Sequence, residues 1–496
     1  MTVMAVAFAF AFALARPAGE ANACGAFGAF DFDTFEAEDY VTEYAQAIHV
    51  AAEGMAGLPA YTVGGQTIDL AYQGLETGPR DARSSTANPG LRIPPTVFKS
   101  IAWIEANWSN ASGLVPFGGV GPTLVSPDCG YGLGQITSGM ANTTGAAQAR
   151  QAAIGTHPLF NLAEGARILA DKWNSAPTFR PIAGTGDPAA IEDWYYAIWS
   201  YNGFAFSNHP LNPNRDPLRA GQADSPIYHC FEPLAPSYQG ALYGYGDYTY
   251  PERVYGCMRH PPVRDDERLW ESQFFNMPNF ENAEIAAAFA PENFLACEEG
   301  GFSGGCPSMD YPTTIADDPE TEADKSLIAH ADTTGASQAS WRAKWLGDPV
   351  FGYEGPYTLA LTASTDGSAT SGLLTVRNIG TGIAPFRIRT SHPWIIVRHD
   401  NDQFPRTLDG GVAIGAETEV VLQSANETRP RIAQQGWDSV LRITLDTAAM
   451  PPGLTVGAVH VEPLLGSGGA FTVEIIAANG ASGLPNRAVV PKLAQD

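Results

Sequence analysis

The stretch "PPTVFKSIAWIEANW" (94–108) decides how the first half of the chain is read. Pro94 and Pro95 stand where a helix begins: proline gives up an amide that has no partner in the first turn and already holds a helical φ. Val97, Ile101 and Ile104 then recur at helical spacing, so one side of the segment faces a core. Within this apolar run stands one acid, Glu105, flanked by Trp103 and Trp108. A lone helical glutamate is mostly solvated. A glutamate enclosed by aromatics has its pKa raised by desolvation and can carry a proton near neutral pH.

Similar segments lie on either side. "TFEAEDYVTEYAQAIHVAAEGMA" (34–56) has helical spacing and an acidic start, as a helix N-terminus favours. "HPLFNLAEGARILADKWNSA" (157–176) and "PAAIEDWYYAIWSYNGF" (188–204) predict two more helices ending in turn residues. No strand-like alternation of any length interrupts 94–205, so that region reads as mainly helical. Trp194, Tyr195, Tyr196 and Trp199 fall at helical spacing, which makes most of them core residues.

After Cys306 the texture changes. Residues 307–350 open with an acidic, Thr- and Ala-rich stretch and read as a linker. Little packing between the halves is expected, so a chain ending near residue 310 is expected to fold alone. Eight short alternating runs follow: "YTLALTAS", "SGLLTVRNIG", "PFRIRTS", "WIIVRH", "TEVVLQS", "VLRITLD", "VGAVHVEP" and "FTVEIIAA". Separated by Gly, Asn, Asp and Pro, they predict a β-sandwich of immunoglobulin type over 351–496.

At 496 residues the chain exceeds one ordinary core. Its net charge of -25 makes phosphate backbones and anionic lipid surfaces poor partners, so no nucleic acid is expected. Residues 1–23 read as a signal peptide, with an apolar run at 3–15 and Ala21-Asn22-Ala23 before Cys24. No later stretch is long and apolar enough for a membrane span. Six cysteines, all before residue 307, favour disulfides in an exported chain. Cys297 with Cys306, Cys230 with Cys257 and Cys24 with Cys129 are one pairing among several; lipidation of Cys24 is the alternative use of that residue. No His-Glu-x-x-His arrangement, P-loop or dinucleotide fingerprint occurs, and neither cofactor nor metal is expected.

Three stretches after Glu105 complete a pattern: "GYGLGQIT" (130–137), "NLAEGARIL" (161–169) and "AIWSYNGF" (197–204). Four motifs in this order resemble the lysozyme-like domain of soluble lytic transglycosylases and goose-type lysozymes. The resemblance covers about 94–205, or as far as 270. It implies a catalytic acid/base at Glu105 and a glycan-lining loop at Gly132, Leu133 and Gln135, with Gln135 bonding a sugar. It also implies a Tyr201–Asn202 pair beside the acid. Ala106 stands where that family has serine, and Gly134 where it has methionine. Asp128 is the only carboxylate between Glu105 and Gln135, and is either a second catalytic carboxylate or a turn residue.

These readings combine into a multidomain α + β chain: signal peptide 1–23, N-terminal helical extension 24–93, lysozyme-like catalytic domain 94–306, linker 307–350 and β-sandwich 351–496. The resemblance implies an exported enzyme cleaving peptidoglycan glycan strands at the β-1,4 bond after N-acetylmuramic acid. The expected chemistry is lytic transglycosylation. A muramidase or chitin-type hydrolase, and a non-catalytic wall-binding or structural protein, are the alternatives. The β-domain is expected to meet a cell-wall or surface partner.

Overall fold

A computed structural model describes the chain over 28–273 and 348–480, apart from short stretches inside each, of which 209–227, 400–417 and 424–436 are the longest. The expected signal peptide, nearly all of the linker, and Cys24, Cys297 and Cys306 lie outside the described residues.

The N-terminal part runs β1 (Asp33–Phe35), α1 (Tyr40–Ala52), β2 (Tyr61–Val63), β3 (Gln66–Ile68), α2 (Pro95–Ala106), β4 (Val120–Pro122), α3 (Ala149–Thr156) and α4 (Pro158–Asn174). A 3-10 turn at Ile191–Trp194 leads into α5 (Tyr195–Tyr201). Two short hairpins, β5–β6 (Ser237–Tyr238, Ala241–Leu242) and β7–β8 (Val263–Arg264, Glu267–Arg268), flank α6 (Tyr250–Arg259). The helix starts are capped as their sequences require. Pro95 and Pro158 open α2 and α4, and His157 accepts from the Leu159 amide. At α6 the Thr249 hydroxyl and Glu252 carboxylate cap each other's amides.

α2 lies between α1 and α6, while α5 packs on α4 and α6. Val97, Phe98, Ile101 and Ala102 of α2 are fully buried, as are Trp194, Tyr195, Tyr196 and Trp199, which belong to this core as expected. The segment before residue 94 differs from a helical extension. Thr34 and Phe35 are in β1, which pairs antiparallel with β4, and α1 is buried in the same core. Glu36 accepts from the amides of Asn110 and Ala111 at 3.1 and 2.9 Å, tying this segment to the chain just beyond α2. Three-residue strands such as β1 and β4 are too short to show alternation, so the spacing could not announce them.

The C-terminal part is two facing sheets, ordered β10-β17-β16-β12-β14 and β13-β15-β11-β9. The strands are β9 (Phe351–Glu354), β10 (Thr358–Ala363), β11 (Gly372–Asn378), β12 (Pro385–Thr390), β13 (Ile395–His399), β14 (Thr418–Gln423), β15 (Trp437–Leu445), β16 (Gly453–Pro463) and β17 (Phe471–Asn479). All eight expected runs are strands; β9 is additional. On β16 the alternation is direct: Val459 and Val461 enter the core, while Leu454 and Val456 point out.

The expected lack of packing between the two parts is not met. Ile383, Leu464 and Leu465 of the β-sandwich belong to the same buried cluster as the helices. The buried Arg387 guanidinium donates to the Ala147 carbonyl at 2.7 Å, just before α3. A linker's composition reports on the linker and says nothing of the faces it allows to meet.

Candidate functional site

Glu105 sits in the last turn of α2, which Asn107 ends in a left-handed conformation (φ 49°). The residue is half-buried, with its carboxyl end enclosed. Burial raises its pKa from 4.5 to about 7, and the charge of Asp128 acts in the same direction. The Tyr250 hydroxyl, donating to Oε1 at 2.5 Å, and the Arg253 charge act against it. A carboxyl in this state holds its proton at mildly acidic pH and can give it up. Tyr250 is itself pushed well above its ordinary range, by burial first and then by Glu105, so it stays a donor.

The loop from Gly130 to Gln135 is set by two buried asparagines. Asn161 on α4 accepts from the Gly134 amide at 2.8 Å and donates to the Tyr131 carbonyl at 2.7 Å. Asn110 accepts from the Leu133 amide at 3.3 Å and donates to Thr34 at 2.7 Å. On α5, the Tyr201 hydroxyl donates to the Gly134 carbonyl at 2.8 Å. Asn202 accepts from Asn208, and Asn208 accepts from the Tyr250 amide at 2.9 Å, which links the Tyr201–Asn202 turn to the start of α6.

The structure thus ties the three later motifs together through Gly134, Asn161 and Tyr201, brings Tyr201 within reach of the Glu105 charge, and revises the part played by some of their residues. Leu133 is fully buried, so its side chain packs inside and lines no cleft. Gly132 has φ +63°, and a Cβ there would lie 2.5 Å from Asn110 Oδ1 and 2.6 Å from Asn161 Nδ2. Its missing side chain makes room for the loop's own clamps, ahead of any need for a ligand to approach. Gln135 is half-buried, with its amide donating to the Gly132 carbonyl at 2.8 Å. Asp128 accepts from Ser126 at 2.6 Å in a turn, close enough for its charge to reach Glu105.

Gly132→Ala is expected to cost about 1–3 kcal/mol through the clash and the left-handed backbone. Gly113→Ala is the control: a Cβ there meets nothing within 4 Å. Chemical denaturation of both variants checks this; equal stabilities would remove the clamp argument.

Sequence reasoning missed Asn161, Tyr250 and Arg253. Asn161 begins the quoted "NLAEGARIL", so its motif was visible while its role was not. Tyr250 follows Thr249 in Thr-x-x-Glu with Pro251 inside, a legible helix start whose proximity to Glu105, 145 positions away, no local spacing encodes.

Cys230 and Cys257 form a disulfide, the latter inside α6. Cys129 is also disulfide-bonded, to a partner outside the described residues, and its Sγ lies 3.8 Å from the Gly28 carbonyl oxygen. Among the described residues no helix is long and apolar enough to cross a membrane, and no cluster of three or more His, Cys, Asp or Glu side chains could hold a metal.

No family model matches the chain, and no curated protein does. Solved structures with some similarity include a protein of unknown function from Porphyromonas gingivalis W83, at 17% identity and TM-score 0.17, covering 27% of this chain and 48% of that one. The CooA pilin subunit from enterotoxigenic Escherichia coli is 12% identical at TM-score 0.17, covering 27% of this chain and 98% of the pilin. The collagen-binding subdomain of the Enterococcus faecalis surface protein ACE is 7% identical at TM-score 0.14, covering 25% and 99%. Scores this low carry no functional inference.

Proposed function

We propose that the chain is an exported enzyme that cleaves peptidoglycan glycan strands as a lytic transglycosylase of the soluble, lysozyme-like kind, with an immunoglobulin-like β-domain. The observation that carries this reading is the Glu105 carboxyl, held by Tyr250, raised to about 7 and near enough to Tyr201 of the last motif for its charge to act there. Glu105 first protonates the glycosidic oxygen as the bond to the muramyl carbon breaks. It then takes the proton from the attacking hydroxyl, so it returns to its starting state. The attacker is the muramyl 6-hydroxyl on the same ring, whose tethering supplies a high effective concentration. That route needs no base opposite Glu105. Asp128, engaged with Ser126, fits a turn residue and leaves the acid to work alone.

The second reading is a goose-type hydrolase, favoured by the reach of the Asp128 charge to Glu105. In that case Asp128 would hold the attacking water. Mass spectrometry of products from purified peptidoglycan separates the two. The expected product is a 1,6-anhydromuramyl end, lighter by one water and without a reducing sugar, with Asp128→Asn changing the rate only modestly. Reducing muramic ends that vanish in Asp128→Asn would make the chain a hydrolase. Retention on wall material without any cleavage would make it a binder.

A further inference from the structure

Tyr250 and Arg253 stand three residues apart in the first turn of α6, on neighbouring positions of one helical face. Tyr250 donates to Glu105 at 2.5 Å. The Arg253 guanidinium carbon lies 6.0 Å from the centroid of the Tyr250 ring, within range of a cation–π contact. Glu105, Tyr250 and Arg253 therefore form a row: acid, phenol, cation.

We propose that Arg253 is a positioning residue that acts on Glu105 across Tyr250 and lowers the upper pH at which the enzyme works. The inference rests on Glu105 being the proton donor. A cation beside a phenol strengthens its O–H as a donor, and the same charge favours the ionised carboxylate beyond it. Arg253 thereby opposes the two influences that keep Glu105 protonated, its burial and the Asp128 charge.

Of the described charged groups near this row, Asp128 and Arg253 are the two whose charge acts on Glu105. From α5, Tyr201 is neutral, raised well above its ordinary range by burial, then by Glu105 and Glu164. Glu164 of α4 is itself paired with Arg150 and Arg167. From the loop before Gly130 comes Asp128, held by Ser126. On α6 itself, the Glu252 carboxylate is engaged with Thr249. Arg253 is the cation in this set whose charge reaches Glu105.

The sign of the effect follows. Without the Arg253 charge, Glu105 keeps its proton to higher pH, so the alkaline limb of kcat/KM moves upward. Arg253→Met in the full chain is expected to raise that limb by about 0.5–1 pH unit on purified peptidoglycan. Arg253→Lys retains the charge and is expected to stay with the wild type. The infrared carboxyl band that differs between wild type and Glu105→Gln reads the same titration without substrate, and is to be followed in both Arg253 variants. Movement of limb and band together in Arg253→Met, with Arg253→Lys unmoved, supports the proposal. An unmoved band in Arg253→Met, or equal movement in Arg253→Lys, overturns it. Should Arg253→Met not fold, the Arg253→Lys band and limb are compared with those of Arg253→Gln, with the same two outcomes. Full activity in Glu105→Gln, by contrast, would remove Glu105 as the proton donor on which the inference rests, and no cleavage by the wild type would sink the enzymatic reading, so these failures are distinct from that of Arg253.

Discussion

Glu105→Gln is expected to fold as the wild type does and to lose ~10²–10⁴ of its turnover on purified peptidoglycan. The amide fills the volume of the carboxyl, and its oxygen still accepts from Tyr250. It has no proton to give to a departing glycosidic oxygen. A stability reading separates loss of chemistry from loss of structure. The folded pKa of Glu105 is raised from 4.5 to about 7. Its contribution to stability is therefore fully present below 4.5 and is lost as pH rises through 7. At pH 8 the glutamine variant should melt no lower than the wild type, having no buried charge to hold. The wild-type kcat/KM should fall above about pH 7, as the acid loses its proton, and the variant should lack that limb. Retention of more than half the activity would rule Glu105 out as the acid.

The next largest effect is expected from the Cys230–Cys257 bridge. Its loss should destabilise the helical part by ~2–5 kcal/mol, as for native bridges in small exported domains. Cys257 is fully buried in α6, the helix that presents Tyr250 and Arg253 to Glu105. Cys230→Ser with Cys257→Ser should therefore also lower turnover, because α6 then loses its covalent tie and is held by packing and by hydrogen bonds such as those of Tyr255 to the Ile191 and Glu192 carbonyls. The β-sandwich, which contains no cysteine, should not respond directly. Thermal melting with and without reductant, followed alongside activity, checks both parts. An unchanged melting temperature and turnover in the double variant would remove the bridge from any part in the site.

Much of the architecture was legible because it rests on repeating patterns. All eight alternating runs became strands of the sandwich, and the segment at 157–176 became α4 between Pro158 and Asn174. The strand β9 escaped because "FGYE" is only four residues long, too short for the alternation of Phe351 and Tyr353 to stand out. In the site, Glu105 was legible from its apolar surroundings, and Tyr201 from its motif. Leu133 was assigned to a glycan surface, whereas the fold buries it. A motif marks which residues occur together; it does not say whether a side chain faces a ligand or the core. Tyr250 lay beyond sequence reasoning because only the packing of α6 on α2 brings it to Glu105. The docking of Arg387 on Ala147 is invisible for the same reason, spanning 240 positions.

That docking has a consequence for the order in which the chain is made. Ribosomes deliver the helical part first, and α6 is complete at Arg259. Leu464 and Leu465, which finish the helical core, are synthesised roughly two hundred residues later. At ~5–20 residues per second that delay is about 10–40 s. Throughout it, the helical core lacks the Leu464 and Leu465 side chains that later pack against it.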